Sequence, residues 1–192
     1  MNQETSPIEA KIIQAAIDCI EEYGIQGVTT RGIAARAGVN SAAINYYFRS
    51  KEALIRRCMQ VTLENAFDWE EFARLPADSA KERCSAIFED LIAGACRFPG
   101  ITRAHYYAII EGSQDSQAIE KLNEFLVNLI NDLKEKGAHL EEAELRLAVA
   151  QITSAAMMTA LIPGTYEKSL GIDMCDEDTR RQYVKRLVER LL

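Results

Sequence analysis

Residues 29–55 read TTRGIAARAGVNSAAINYYFRSKEALI and contain the start and stop signals of two short helices. A threonine at the beginning can cap a helix over 29–37, because its hydroxyl accepts a hydrogen bond from a free amide of the first turn. Gly38 supplies a sharp turn, and Asn40 can cap a second helix over 41–47. Two helices of this length joined through a three- or four-residue turn have the dimensions of a helix-turn-helix, whose second helix enters the major groove of DNA.

The side chains of this stretch divide into an inward set and an outward set. Six apolar residues have the spacing to hold the two helices together against the preceding helix: Ile33, Ala34, Ala37, Val39, Ile44 and Phe48. The outward set is Ser41, Ala43, Asn45, Tyr46 and Tyr47. An asparagine can pair with an adenine edge, an alanine can touch a thymine methyl group, and a tyrosine hydroxyl can donate to a phosphate. We therefore expect the second helix to present a DNA-contacting surface.

Charge is distributed unevenly along the chain. The formal net charge is −7, yet residues 29–57 hold six basic residues and one acid, Glu52, which makes this segment +5 and the remainder −12. A local basic segment on an acidic protein fits a nucleic-acid-reading module attached to a body that avoids phosphates. The alternative is a solvated basic face.

The rest of the chain predicts helices. Ser6, Pro7 and Glu9 form a helix start and Gly24 a helix stop, which gives a first helix. Further helices are expected over 51–74, 79–98, 100–111, 116–136, 141–161 and 176–191, with a loop at 163–173. Neither alternation of period two nor an internal repeat is visible in the sequence, so the predicted fold class is all-α.

Several classes of protein are not expected. The sequence has no run of about 18 apolar residues, and its first fifteen residues carry Glu4 and Glu9 where an export signal would have a basic head, so we expect a cytoplasmic protein without membrane contact. A phosphate-binding glycine loop, GxSxG, HExxH and paired aspartates are all missing, which argues against an enzyme.

The five cysteines are scattered: Cys19, Cys58, Cys84, Cys96 and Cys175. They form no CxxC pair, and only His105 and His139 could help them to hold a metal, so neither a metal nor another cofactor is expected. In a reducing compartment such cysteines serve as small buried apolar groups or, as the alternative, in redox sensing.

The quoted stretch resembles the DNA-binding signature of the TetR family of transcriptional regulators. It combines the TTR start, the IAARAGV turn, the aromatic YYF end and the SKEAL start of the next helix. The resemblance implies that Thr30 and Lys51 anchor phosphates and that Arg31 reaches a base edge or a phosphate. Gly32 departs from the family, which usually has a larger residue there, and Asn45 stands where a tyrosine is common, which allows a different operator sequence. The predicted DNA-contacting residues are Thr30, Arg31, Asn40, Ser41, Ala43, Asn45, Tyr46, Tyr47 and Lys51.

The resemblance also implies a division into a DNA-binding domain over 1–50 and a ligand-binding and dimerisation domain over 51–192. The small residues of 141–161 and the apolar stripe of 176–191 suit a dimer interface, although a helical core shows the same patterns. The candidate ligand-binding residues are Phe88, Leu91, His105, Tyr106, Tyr107, Glu111, Phe125, Met157 and Met158, each of which could instead be a core residue.

The function predicted from these observations is ligand-responsive regulation of transcription. The expected protein is a homodimeric repressor that binds double-stranded operator DNA with an inverted repeat and is released by a small, largely apolar effector. The effector would change the tilt of the helix that begins at Lys51 and so the separation of the two reading heads. The alternative is a helical protein-interaction or small-molecule-binding module with a vestigial DNA-reading head.

Overall fold

The structure, a computed structural model, describes residues 6–110 and 117–192. Within these ranges it contains helices and no strand, which confirms the all-α prediction. The helices are α1 (Pro7–Gly27), α2 (Thr30–Ala37), α3 (Ser41–Phe48), α4 (Lys51–Ala66), α5 (Trp69–Arg74), α6 (Ala80–Arg97), α7 (Pro99–Ile110), α8 (Gln117–Glu135), α9 (Glu142–Leu161), α10 (Pro163–Leu170) and α11 (Glu177–Leu191).

Side-chain caps begin α2 and α3 at the positions predicted from the sequence. The Oγ1 of Thr29 accepts from the amide of Gly32 at 3.0 Å, and the Oδ1 of Asn40 accepts from the amide of Ala43 at 2.8 Å. Between them Gly38 adopts a left-handed conformation with φ 61°, which a glycine reaches without steric cost. The helix-turn-helix geometry therefore follows from local signals.

Two sequence expectations about helix boundaries are wrong. The helix expected over 51–74 is split, because Asp68 accepts from the amide of Glu70 at 2.9 Å and so begins α5 as a separate helix. The loop expected over 163–173 contains α10, because Pro163 occupies a first turn that needs no amide and Gly171, with φ 67°, ends the helix.

Two clusters of buried side chains organise the helices. The amino-terminal cluster is formed mainly by α1 to α4, and α7 contributes Ile101 and Ala104 to it. The carboxy-terminal cluster combines side chains of α5, α6, α8, α9 and α11. Helix α7 also contacts α1, α4, α6, α8 and α9, so it lies between the two clusters.

The cysteines divide into two groups. Cys19, Cys58 and Cys84 are buried free thiols, as one of the two alternatives predicts. Cys96 and Cys175 instead form a disulfide, with their Cα atoms 5.5 Å apart. A sequence separation of 79 residues hides this pair from any reading of local motifs.

Among the helices in the described ranges, none is by itself long and apolar enough to cross a membrane. Helices α9 and α10 satisfy the length and composition test together, but they are bent by 83° and α9 contributes Leu145, Val149 and Ile152 to the carboxy-terminal cluster.

The left-handed turn provides a test of the fold. Gly38→Ala should lower the free energy of unfolding by about 1–2 kcal/mol, because an L side chain is strained in that conformation. Gly94→Ala is the matched control: it lies inside α6, where an added Cβ meets nothing within 4 Å, and it should raise stability by about 0.5–1 kcal/mol. Urea unfolding measures both changes, and equal effects would contradict the assigned turn.

Candidate nucleic-acid interface and effector cavity

Helix α3 buries one side and exposes the other. Ile44 and Phe48 lie in the amino-terminal cluster, with 0% and 7% of their surfaces exposed. Ser41, Asn45 and Tyr46 are exposed on the other side, and 81% of the Tyr46 surface is accessible. Buried anchors at one side of a short helix hold its opposite side in a defined position.

The two remaining candidates on α3 are half-buried. The Ala43 amide donates to the Asn40 side chain that caps α3, and Tyr47 packs against the amino-terminal cluster. The Tyr46 and Tyr47 rings meet edge to face with centroids 5.2 Å apart. Tyr47 thus supports Tyr46, while Asn40 is exposed but uses its side chain as a helix cap.

The candidates that flank α3 lie on α2 and α4. Thr30 is half-buried and Arg31 exposed in the first turn of α2. The Nζ of Lys51 donates to the carbonyl oxygen of Val28 at 3.1 Å, which joins the first residue of α4 to the segment before α2. This bond fixes the ammonium group beside the helix-turn-helix and leaves it further protons to donate.

Part of the positive charge of residues 29–57 is neutralised within the fold. Arg36 forms an ion pair with Glu22 of α1, and Arg57 lies 3.9 Å from a carboxylate oxygen of Glu64. Arg31, Arg49 and Arg56 have no carboxylate within 4.0 Å in the part of the chain that the structure describes. The cations available to a polyanion are therefore fewer than the sequence count suggests.

We call helices α1 to α3 the reading head. A cavity of about 470 Å³ lies between α1 of the reading head and the carboxy-terminal helices. Its wall is mainly apolar and comes from α1 and from α4 to α9. Of the ligand candidates, Phe88, Leu91, His105, Tyr106, Phe125 and Met157 line it. A volume of this size suits a small organic molecule.

The other ligand candidates lie elsewhere. Tyr107 and Met158 are outside the cavity lining and expose 47% and 49% of their surfaces, because each follows a lining residue by one position and a helix turns about 100° per residue. Glu111 lies outside the described residues. Sequence reasoning missed Gln14 and Ile17 of α1, together with Thr62 and Thr153, which all line the cavity.

Hydrogen bonds fix the polar groups of α7 at the cavity wall. The Thr62 hydroxyl of α4 donates to the carbonyl oxygen of Met59 at 3.1 Å and lies 2.9 Å from Nε2 of His105. When the single hydroxyl proton of Thr62 lies on the Met59 carbonyl, Nε2 of His105 donates to Thr62 and Nδ1 is an acceptor. Burial lowers the pKa of His105 to about 4, so the imidazole is neutral at pH 7.

Two further hydroxyls lie at the cavity. The Tyr106 hydroxyl donates to the carbonyl oxygen of Met157 at 3.0 Å, which ties α7 to α9. Thr153 of α9 is only 7% exposed, and its hydroxyl has no hydrogen-bond partner among the described residues. A buried hydroxyl without a partner costs free energy, and the Thr153 hydroxyl is free to bond to a molecule in the cavity.

A direct contact joins the helix that carries His105 to the reading head. The amides of Gly100 and Ile101, in the first turn of α7, donate to the two carboxylate oxygens of Glu21 in α1 at 2.8 and 3.0 Å. A Cβ on Gly100 would lie 2.7 Å from the Cα of Glu21, so only a glycine allows this approach. The first turn of α7 is thus held directly against α1.

Comparison with known proteins agrees with this geometry. Residues 12–58 match the family described as bacterial regulatory proteins, tetR family. The HTH-type transcriptional dual regulator CecR of Shigella flexneri is 42% identical over 92 residues, which cover 45% of this chain and 40% of that regulator. The chain thus matches less than half of this relative's length.

Solved structures with the same fold extend over nearly the whole chain. A putative TetR-family transcriptional regulator from Mesorhizobium loti has a TM-score of 0.72 at 18% identity, over 100% of this chain and 98% of that one. FadR from Bacillus subtilis, solved in complex with stearoyl-CoA, has a TM-score of 0.63 at 19% identity, over 93% of this chain and 96% of that one. The helix-turn-helix region thus matches the tetR family by sequence, and the remaining helices share the fold of TetR-family regulators.

Proposed function

We propose that this protein is a ligand-responsive transcriptional regulator that binds operator DNA through α3. The observation that carries this proposal is the exposed face of Ser41, Asn45 and Tyr46, opposite the buried Ile44 and Phe48. Asn45 reads a base edge in the major groove, while Tyr46 and Lys51 contact the phosphate backbone. A cytoplasmic location is part of the proposal, and a catalytic role is not.

The reading face gives a test that separates base reading from backbone contact. Tyr46→Ala and Lys51→Ala should weaken binding to every DNA sequence and reduce its salt dependence, because each removes a phosphate contact. Asn45→Ala should instead reduce discrimination at one base pair by about 1–3 kcal/mol. The measurement is a salt titration on an operator fragment, selected by the protein from random DNA, and on a random fragment.

Tyr46→Phe is the matched control, because it keeps the ring and removes only the hydroxyl donor. If Asn45→Ala loses equal affinity for the selected and the random fragment, Asn45 does not read a base.

We further propose a homodimer that presents two copies of α3 about 34 Å apart, or a multiple of that distance, to an inverted repeat. Leu147 and Met158 of α9 support this proposal: they are 65% and 49% exposed, and the exposed Ser154 lies between them on one helical face. Leu187 of α11 packs against the carboxy-terminal cluster, so α11 would contribute side chains other than Leu187 to the proposed dimer interface.

The exposed position on α9 allows the dimer to be tested without disturbing the core. Leu147→Glu should give monomers and weaken operator binding, because it places a charge in an apolar interface. Val127→Glu is the control, since Val127 is 58% exposed on α8, outside the proposed interface. Analytical ultracentrifugation measures the state of association, and a Leu147→Glu variant that remains a tight dimer would exclude this face.

The effector is proposed to occupy the cavity of about 470 Å³. Its wall requires a largely apolar molecule, and the Nδ1 of His105 and the hydroxyl of Thr153 can orient a polar group of that molecule. The Bacillus subtilis FadR complex supports this proposal, because it shows that the same fold can hold a ligand with a long apolar chain.

The contacts of α7 suggest how the effector controls DNA binding. His105 bonds to Thr62 of α4, and the first turn of α7 bonds to Glu21 of α1. A ligand that displaces α7 therefore moves α1 of the reading head and also α4, which packs on α1 and α3. It can do so only to the extent that it binds the two arrangements unequally. A coupling of about 1–3 kcal/mol would change operator affinity about 5- to 150-fold, and we propose release as its direction.

In this scheme residues 1–50 read DNA and residues 51–192 bind the effector and dimerise.

The unpartnered hydroxyl of Thr153 gives a test that starts without a known effector. Thr153→Val should raise the free energy of unfolding of the ligand-free protein by about 1 kcal/mol, because it removes a buried polar group that has no partner. Compounds that raise the melting temperature of the wild type should bind this variant about 2- to 12-fold more weakly, which corresponds to one hydrogen bond.

Thr159→Val is the matched control. Thr159 lies on the same helix with 0% exposure, but its hydroxyl donates to the carbonyl oxygen of Ala156 at 2.8 Å. This variant should lose about 0.5–1.5 kcal/mol of stability. A Thr153→Val variant that is destabilised and binds all compounds normally would assign Thr153 to packing alone.

A further inference from the structure

The five cysteines differ in their access to solvent. Cys19, Cys58 and Cys84 are 3%, 0% and 0% exposed, and burial raises the pKa of Cys58 and Cys84 to about 12. These thiols are therefore protected from reagents in water. Cys175 is exposed and Cys96 is half-buried, so the bonded pair is the accessible one.

The disulfide lies where α6 ends and α7 begins. Cys96 is in the last turn of α6, three residues before Pro99 begins α7 and four before Gly100 meets Glu21. Its neighbours Ala95 and Arg97 line the cavity. Cys175 precedes Asp176, the cap of α11. The bond thus joins the corner between α6 and α7 to the start of α11.

Other contacts hold Cys175 in place independently of the disulfide. Met174 is completely buried in the carboxy-terminal cluster. Arg180 donates to the carbonyl oxygens of Met174 at 3.2 Å and of Cys175 at 3.1 Å, and the Cys175 amide donates to Asp173 at 2.8 Å. After reduction these contacts keep the Cys175 sulfur near Cys96, so the bond can form again readily.

We propose that Cys96 and Cys175 are a reversible thiol modification site, oxidised by hydrogen peroxide and reduced by a dithiol. The Cys175 thiolate attacks a peroxide oxygen and the O–O bond breaks, which gives a sulfenic acid. The departing hydroxide takes up the proton that the thiol had released and leaves as water. The Cys96 thiol then attacks the sulfenic sulfur, the S–S bond forms, and a second water leaves. Two thiols thereby lose two electrons and two protons to one peroxide, and exchange with a dithiol reverses the change.

The modification controls the corner between α6 and α7. The disulfide holds the end of α6 against the start of α11, which keeps the first turn of α7 on Glu21. In the reduced protein the corner can move, as release of DNA by an effector requires; this last consequence rests on the proposed function. A cytoplasmic protein is normally reduced, so formation of the bond is a response to oxidant.

The first experiment tests the chemistry on the full chain. Wild-type protein is reduced with dithiothreitol, freed of reductant and treated with one equivalent of hydrogen peroxide. We expect the loss of two titratable thiols, a cross-linked peptide pair that contains Cys96 and Cys175, and full reversal by dithiothreitol. Oxidation at other cysteines, bonds between chains or failure of the pair to react would overturn the proposal.

The second experiment tests control of the corner without DNA or effector. Hydrogen exchange of the amides of residues 100–104 should be at least about fivefold slower in the oxidised than in the reduced protein, the lower end of the range for coupled sites. Cys175→Ser is the matched control, and peroxide should not change its exchange. Equal exchange in oxidised and reduced wild type would overturn control of the corner. Since this readout needs no DNA, failure of operator binding would count against the proposed function and leave the thiol switch standing.

Discussion

The carboxylate of Glu21 in α1 holds the first turn of α7, the helix that lies between the two buried clusters. It accepts hydrogen bonds from the first two free amides of α7, which would otherwise lack partners at the start of the helix. A carboxylate is favoured there because the amino end of a helix carries partial positive charge. The same helix contributes Ile101 to one cluster and His105 to the cavity wall, so the placement of the cavity relative to the reading head depends on this contact.

The helix-turn-helix could be predicted because its signals are local. Thr29, Gly38 and Asn40 each act on residues within four positions, and the structure uses them as caps and turn. Contacts between distant residues could not be predicted in this way. Glu21 is 79 positions from Gly100, and Cys96 is 79 positions from Cys175, so no spacing in the sequence marks either pair.

The cavity was only partly predictable for a related reason. His105 and Tyr106 are polar aromatic residues in a mainly apolar helix, and that contrast identifies them as candidates. Thr153 lies among alanines and another threonine in α9, where nothing in the sequence distinguishes an unpartnered hydroxyl from a bonded one. Gln14 and Ile17 line the cavity because α1 crosses it, which depends on how α1 packs on α7.

The cavity region contains features that lower the free energy of unfolding, and such features are typical of a ligand-binding site. A volume of about 470 Å³ forfeits packing contacts, Thr153 has an unpartnered hydroxyl in the described part of the chain, and His105 is held neutral by burial. Away from the cavity, the Nε of Arg83 in α6 and the Oδ2 of Asp132 in α8 also lack hydrogen-bond partners among the described residues, but their opposite charges lie 3.3 Å apart as an ion pair. Proteins commonly concentrate such defects where a ligand will remove them. An effector that fills the volume and bonds to Thr153 would stabilise the folded state by its own binding free energy. In the proposed mechanism, only the share of that free energy that differs between two positions of α7 would reach Glu21 and the reading head.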